Sequence, residues 1–186
     1  YNKPPQAGVI AHMHAVADAT DLPVMVYDIP GRAGIPITTE SMLKLAEHKH
    51  IIANKDAKAD LWSASEVMAK SDLAYYSGDD GLNLALLAVG AVGVVSVTGH
   101  IVADRHRAMV EAMQNNDVNT AREINRTLVP ITEGLMTKAG GAIMVKAALD
   151  LLGRVGGGSL RLPLVPATAE QIKVLRSDLI AGGFSL

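Results

Sequence analysis

The chain has 186 residues, with 17 basic and 19 acidic side chains for a formal charge of −2, and no cysteine. That length suits one sizeable domain, or one domain with an appendage. The near-balanced charge, with no basic stripe interleaved with aromatics, argues against nucleic acid as a partner, and the missing cysteines exclude disulfides and thiolate metal sites. A chain without cysteine fits a cytoplasmic setting, and no run approaches the ~18 apolar residues of a membrane span, so no membrane partner is expected. The first residue is Tyr1, with no signal-peptide pattern behind it, so the native start is expected further upstream.

In chain order, Val9, Ile10, Met13, Val16 and Ala17 recur at helical spacing over Gly8–Ala19, and Pro23 bars continuation. An apolar strand follows at Val24–Tyr27. Thr38 or Thr39 caps a helix whose inner face is Met42, Leu43 and Ala46. The second strand is Ile51–Lys55. Asp60 caps a helix carrying Leu61, Ala64, Val67 and Met68, and the third strand is Leu73–Tyr76. A short helix near Leu82–Ala88 leads to a glycine-rich strand around Val92–Val97. Strands that are apolar throughout and alternate with helices imply a parallel sheet covered on both faces.

After Thr98 the strands stop. A helix near Val102–Gln114 precedes a long stripe of Val118, Ala121, Ile124, Leu128, Ile131 and Leu135, capped by Asp117 and broken at Gly140-Gly141. A further helix spans about 142–152. Thr168 and Gln171 stand at capping-box spacing before a last helix with Ile172, Leu175 and Leu179 inside. The expected division is therefore 1–115 for the βα units and 116–186 for a three-helix region. Four βα units are half of an eight-fold barrel, which takes about 250 residues. Inner-face residues such as Val24, Ile52 and Val94 would then lack an opposite wall. The expected fold is α/β: the second half of a (β/α)8 TIM barrel followed by a C-terminal helical appendage.

The chemistry gathers at the carboxyl ends of these strands, where such barrels build their sites. A lysine closing a buried strand, as Lys55 does, gives up hydration, which favours the neutral nucleophilic amine. Tyr27 ends the preceding strand, so a parallel sheet sets phenol and amine side by side, as imine formation with proton transfer requires. A tyrosine finishing a strand beside a lysine that extends to the rim is the other reading. Arg32, in Ile29-Pro30-Gly31-Arg32-Ala33-Gly34, is either a fork for a carboxylate or a solvated loop arginine. Ser77-Gly78-Asp79-Asp80 reads as a helix start rather than a metal site. His12 and His14 point different ways on a helix, so they make no metal pair. Asn54 turns away from Lys55 toward the helix layer, where a buried amide needs partners.

Taken together and in order, Tyr1-Asn2-Lys3-Pro4-Pro5-Gln6, Tyr27-Asp28-Ile29-Pro30-Gly31-Arg32, Lys55-Asp56-Ala57, Ser77-Gly78-Asp79-Asp80 and Gly93-Val94-Val95-Ser96-Val97-Thr98 resemble the dihydrodipicolinate synthase family, of the pyruvate-dependent class I aldolase superfamily. The resemblance runs essentially the full length of the chain. It implies that Lys55 forms a Schiff base with pyruvate, that Tyr27 shuttles protons, and that Tyr1 crosses a dimer interface to complete the relay of a neighbour. It further implies that Arg32 binds the carboxylate of aspartate semialdehyde and that Val95 offers backbone contacts to pyruvate, with Gly78 nearby in the wall of the substrate pocket. No metal or organic cofactor is implied, and the assembly implied is a homo-oligomer, a dimer of dimers. The departures are the family's threonine pair, which belongs to an absent first half, and Ala53-Asn54 before Lys55, where the family usually has glycine and an aliphatic residue. The implied activity is condensation of pyruvate with aspartate 4-semialdehyde to 4-hydroxy-tetrahydrodipicolinate, on the route to lysine and diaminopimelate. The alternatives are a sister lyase such as N-acetylneuraminate lyase, which generally lacks arginine at the place of Arg32, and a non-catalytic piece acting only in assembly.

Overall fold

The computed structural model describes residues 2–186. The chain resolves into two compact units, one running up to Val95 and the other spanning Ser96–Leu186.

The first unit takes its order from the alternation read in the sequence. Helix α1 (Gln6–Asp18) starts directly after Pro4-Pro5, and β1 (Val24–Asp28) follows. A short turn of helix, α2 (Pro30–Ala33), comes next and was not expected: the fixed φ of Pro30 suits a first helical position, and Gly34 closes the turn at φ +80°. Helix α3 (Thr39–Ala46) is capped by Thr38, whose hydroxyl accepts the Ser41 N–H. Then come β2 (Ile51–Asp56), α4 (Leu61–Lys70) capped by Asp60, β3 (Ala74–Ser77), α5 (Asn83–Ala88) and β4 (Gly93–Val94). The four strands form one parallel sheet in the order β1-β2-β3-β4. Strand β4 is shorter than the expected Val92–Val97. The N–H groups of Val92 and Val95 still reach β3, donating to Tyr75 O and Ser77 O, but only Gly93–Val94 keep the regular ladder. The expected helix start at Ser77–Asp80 is also displaced. Asp79 accepts the Gly81 N–H, and α5 begins after Leu82 without a side-chain cap.

The two faces of the sheet differ. Val26, Ile51 and Tyr75 pack with Met42, Leu45, Val67 and Leu86 from the helices into the hydrophobic core. Val24 belongs with this helix-side cluster rather than on the inner face, because it alternates with Val26, ahead of a register irregularity between Val24 and Met25. The opposite face is open: Met25 is 41% and Ile52 50% exposed, against 1% for Val26. The one tryptophan of the sequence, Trp62, sits on α4 at 79% exposure.

In the second unit, α6 (Gly99–Gln114) leaves helical geometry at Val102 and is regular beyond it. Helix α7 (Val118–Met136) is capped by Asp117, α8 (Gly141–Leu151) follows, and α9 (Ala169–Ala181) starts with the expected Thr168–Gln171 capping box. Ala121, Leu128, Ile131 and Leu135 of the α7 stripe are buried, as are Leu175 and Leu179 of α9. A side chain at Gly134 would stand 2.9 Å from the Asp178 Cβ, so α7 and α9 meet closely there. The division expected at residue 115 counts α6 with the βα units, whereas compactness groups it with the helices that follow. Among the described residues, no helix is long and apolar enough to cross a membrane.

Candidate active site

Parallel register builds the site row by row. Tyr27 pairs with Lys55, Lys55 with Tyr76 and Tyr76 with Gly93, so these four residues share one line across the open face. The next line, Asp28, Asp56, Ser77 and Val94, begins with three residues buried to 1% exposure or less on the helix side.

Within the first line, the Lys55 Nζ lies 4.1 Å from the centroid of the Tyr27 ring. The amine thus rests over the ring face. Gly78, the residue after β3, flanks the lysine. A Cβ there would come within 2.7 Å of Lys55 Cγ and 2.8 Å of its Cε, so the lysine can lie where it does only because residue 78 has no side chain. The Gly78 N–H donates to Asp56 O at 2.7 Å, which fixes that close approach. Gly93 has a similar relation to Tyr76, since an added Cβ would stand 3.0 Å from the ring's Cε1. In the sequence Tyr76 is the last residue of the expected Leu73–Tyr76 strand. Its place beside Lys55 follows from register, which alternation alone does not supply.

The other candidates fall out differently. The Val95 N–H donates to Ser77 O at 2.7 Å, so its carbonyl is the backbone group left for a ligand. Arg32 stands exposed on the α2 turn, with no ion pair among the described residues. A groove of about 440 Å3 runs beside Tyr27 between the Asn2–Pro4 segment, α1 and the loop through Ala33, Ile35 and Ile37; it includes neither Lys55 nor Arg32. The structure therefore brings Tyr27, Lys55 and Gly78 together directly, and leaves Arg32 at the rim. Tyr1 lies outside the described residues.

Behind the reactive line is a buried polar layer that the sequence did not reveal. Asp28 Oδ1 accepts the Ile37 N–H at 3.1 Å, and its Oδ2 is 3.5 Å from the Lys58 Nζ. Asp56 Oδ1 accepts the Lys58 N–H at 3.0 Å. The Lys58 ammonium also donates to Ile37 O at 3.1 Å and to Ser63 Oγ at 2.8 Å. Burial raises both carboxyls above their ordinary range. The Ile37 N–H and Lys58 only partly offset it at Asp28; the Lys58 N–H and ammonium do so at Asp56, where the charge of Asp28 adds to the rise. Burial also pushes the Tyr75 phenol up. Asn54 faces this layer as expected; it is fully buried, and its amide makes no hydrogen bond of standard geometry, although the Tyr75 phenol is close enough to feel it.

Comparison with known proteins bears on the family and the fold. The profile of the Dihydrodipicolinate synthetase family matches residues 1–181. The 4-hydroxy-tetrahydrodipicolinate synthase 2 of Streptomyces coelicolor is 55% identical over the whole chain, which covers 62% of that protein. A crystal structure of the enzyme from Cyanidioschyzon merolae with lysine bound is 42% identical over 98% of the chain and 62% of its own, with a TM-score of 0.92. That of the Acinetobacter baumannii enzyme complexed with pyruvate is 32% identical over 98% of the chain and 63% of its own, with a TM-score of 0.91. The chain spans about 60% of the length of the curated relatives it matches. The fold is accordingly that of the later βα units of a (β/α)8 barrel with a C-terminal helical appendage.

Proposed function

The chain belongs to the Dihydrodipicolinate synthetase family, and from that premise we propose that it is the lysine-bearing part of a lyase that condenses pyruvate with aspartate 4-semialdehyde to give 4-hydroxy-tetrahydrodipicolinate, in lysine and diaminopimelate biosynthesis. One observation carries the reading: Lys55 and Tyr27 are register partners at adjacent strand ends on an open face, with the amine 4.1 Å from the ring centroid and Gly78 leaving it room. The names of the relatives and the pyruvate-bound neighbour support the substrate, and no observation favours a sister lyase.

In this reading the Lys55 amine adds to the ketone carbon of pyruvate, and water leaves as the imine forms. The phenol of Tyr27 gives a proton to the departing oxygen and takes protons back in later steps. Loss of a proton from the pyruvate methyl gives the enamine, whose carbon adds to the aldehyde of the second substrate. The amino group of that substrate then attacks the imine carbon, closes the ring and returns Lys55 as the free amine. Arg32 holds the second substrate's carboxylate as a planar fork. Val95 contributes its carbonyl to pyruvate, and Gly78 contributes space. Tyr1 completes the relay of a neighbouring subunit in a dimer of dimers. The chemistry needs no metal or organic cofactor, and the setting is the cytoplasm.

The test is covalent trapping. The protein, complete at the length of its relatives, is incubated with pyruvate and reduced with borohydride, and the adduct is mapped by peptide mass. The adduct is expected at Lys55; modification of Lys3 or Lys58 with Lys55 untouched overturns the assignment. Lys58 serves as an internal control, because its ammonium is held behind the sheet by Asp28, Ile37 O and Ser63.

A further inference from the structure

The loop that carries Arg32 leaves β1 at Asp28 and returns at Pro36–Thr38. Four backbone groups of the return are held by side chains from elsewhere. The Gln6 amide donates to Pro36 O at 2.8 Å, and its carbonyl accepts the Thr38 N–H at 3.0 Å. Between them, the Ile37 N–H donates to Asp28 and the Ile37 O accepts from Lys58. The loop is thus pinned from outside by Gln6 and from inside by an ion pair that is nearly dry, with Lys58 side-chain exposure of 10% and Asp28 of 1%.

Two facts make the inner pin more than loop closure. Asp28 immediately follows Tyr27 in β1, and Lys58 is tied through its own N–H to Asp56, the residue after Lys55 in β2. The ion pair therefore bridges the two strands that carry the reactive pair, from the opposite face, and the same ammonium fixes the loop bearing the arginine. We infer that Lys58, together with Asp28, is a positioning pair that sets the Arg32 loop against the Tyr27–Lys55 strand ends, and so governs capture of the second, carboxylate-bearing substrate rather than imine formation. Neither residue touches substrate in this scheme.

The inference rests on the proposed reaction for its kinetic arm only. In the complete protein, Lys58→Met is expected to raise KM for aspartate semialdehyde about tenfold with kcat changed less than about threefold. Pyruvate trapping at Lys55 should remain, and Lys58→Arg should recover most of the loss. Equal losses in kcat and in pyruvate trapping, or no KM change, overturn it. Hydrogen exchange supplies an arm independent of catalysis: Lys58→Met should speed exchange at Arg32 and Ile37 at least about tenfold while the β2 amides keep their rates. Unchanged loop rates, or uniform acceleration across β1–β4, overturn the positioning role whatever the reaction proves to be. A wild-type protein that forms no adduct at Lys55 instead defeats the proposed reaction, and the exchange arm then decides the positioning role alone. Should Lys58→Met fail to fold, the Asp28→Asn/Lys58→Met double variant, which removes both charges and keeps an acceptor for Ile37, takes its place under the same criteria.

Discussion

Two consecutive lines of the same sheet behave as opposites. Tyr27, Lys55 and Tyr76 lie on the open face, the first exposed and the other two half-buried, while one residue further along each strand Asp28, Asp56 and Ser77 are buried. The spacing between the lines is a single residue, yet one carries the candidate reactive pair and the other is packed away from solvent. Period-two alternation makes this possible: a strand end delivers a reactive group to one face and its neighbour to the other, so a dry polar layer can steady the reactive line without crowding it. The difference teaches that charge in a strand-end sequence such as Lys55-Asp56-Ala57-Lys58 says little about which charges meet solvent. Here one lysine is the candidate nucleophile, and the other is a buried tie.

The sharpest way to break the contrast is to remove the reactive group. Lys55→Arg should abolish the pyruvate adduct and lower turnover by at least about three orders of magnitude while the melting temperature holds, because the open face loses a function and the dry layer loses nothing. A variant that still traps pyruvate would move the nucleophile elsewhere. Next in size is Gly78→Ala. Its Cβ would meet Lys55 Cγ at 2.7 Å and Cε at 2.8 Å, so the amine must swing aside. A displacement of that order should reduce kcat roughly a hundredfold with the adduct still formed slowly; wild-type kinetics would show that the lysine stem accommodates freely.

The dry layer is tested by pH. Asp56 has its folded pKa raised above 3.8, mainly by burial. The folded chain therefore binds a proton that the unfolded chain has released, and stability falls as pH rises from the unfolded value through the raised folded one, then levels. Asp56→Asn cannot ionise, so thermal melts should show the variant gaining on the wild type across that window and not below it. A gap independent of pH would mean that the carboxyl titrates normally. The smallest effect is expected at Asn54, whose amide is fully buried without a well-formed hydrogen bond. Asn54→Leu should stabilise by about 1–2 kcal/mol in denaturant melts, with the Lys55 adduct unaffected. Destabilisation would show that the amide has a partner worth keeping.

Legibility in the sequence followed the same division. The four strands, a cap at Thr38 or Thr39, the caps at Asp60, Asp117 and Thr168, and the pairing of Tyr27 with Lys55 could all be read, because each depends on residues near in the chain or on simple alternation. The α2 turn hid behind Pro30-Gly31, which looks like a plain loop until φ at Gly34 is known. The Asp28–Lys58 bridge joins residues thirty apart, and its acceptor Ile37 is backbone, so nothing in composition marks it. Tyr76 needed register with both β2 and β4 before it could be placed beside Lys55. Asn54 was legible in direction, since alternation decides its face, but not in its lack of a clean partner.

The position of Trp62 has a spectroscopic consequence. As the sequence's only indole, and one 79% exposed on α4, it already emits from a largely aqueous environment in the folded chain. Unfolding should therefore move its emission maximum little, and a flat fluorescence trace through a denaturant series would be no sign of an unchanged fold. Far-ultraviolet dichroism, to which the nine helices of the described residues contribute, is the signal to follow when the variants above are compared.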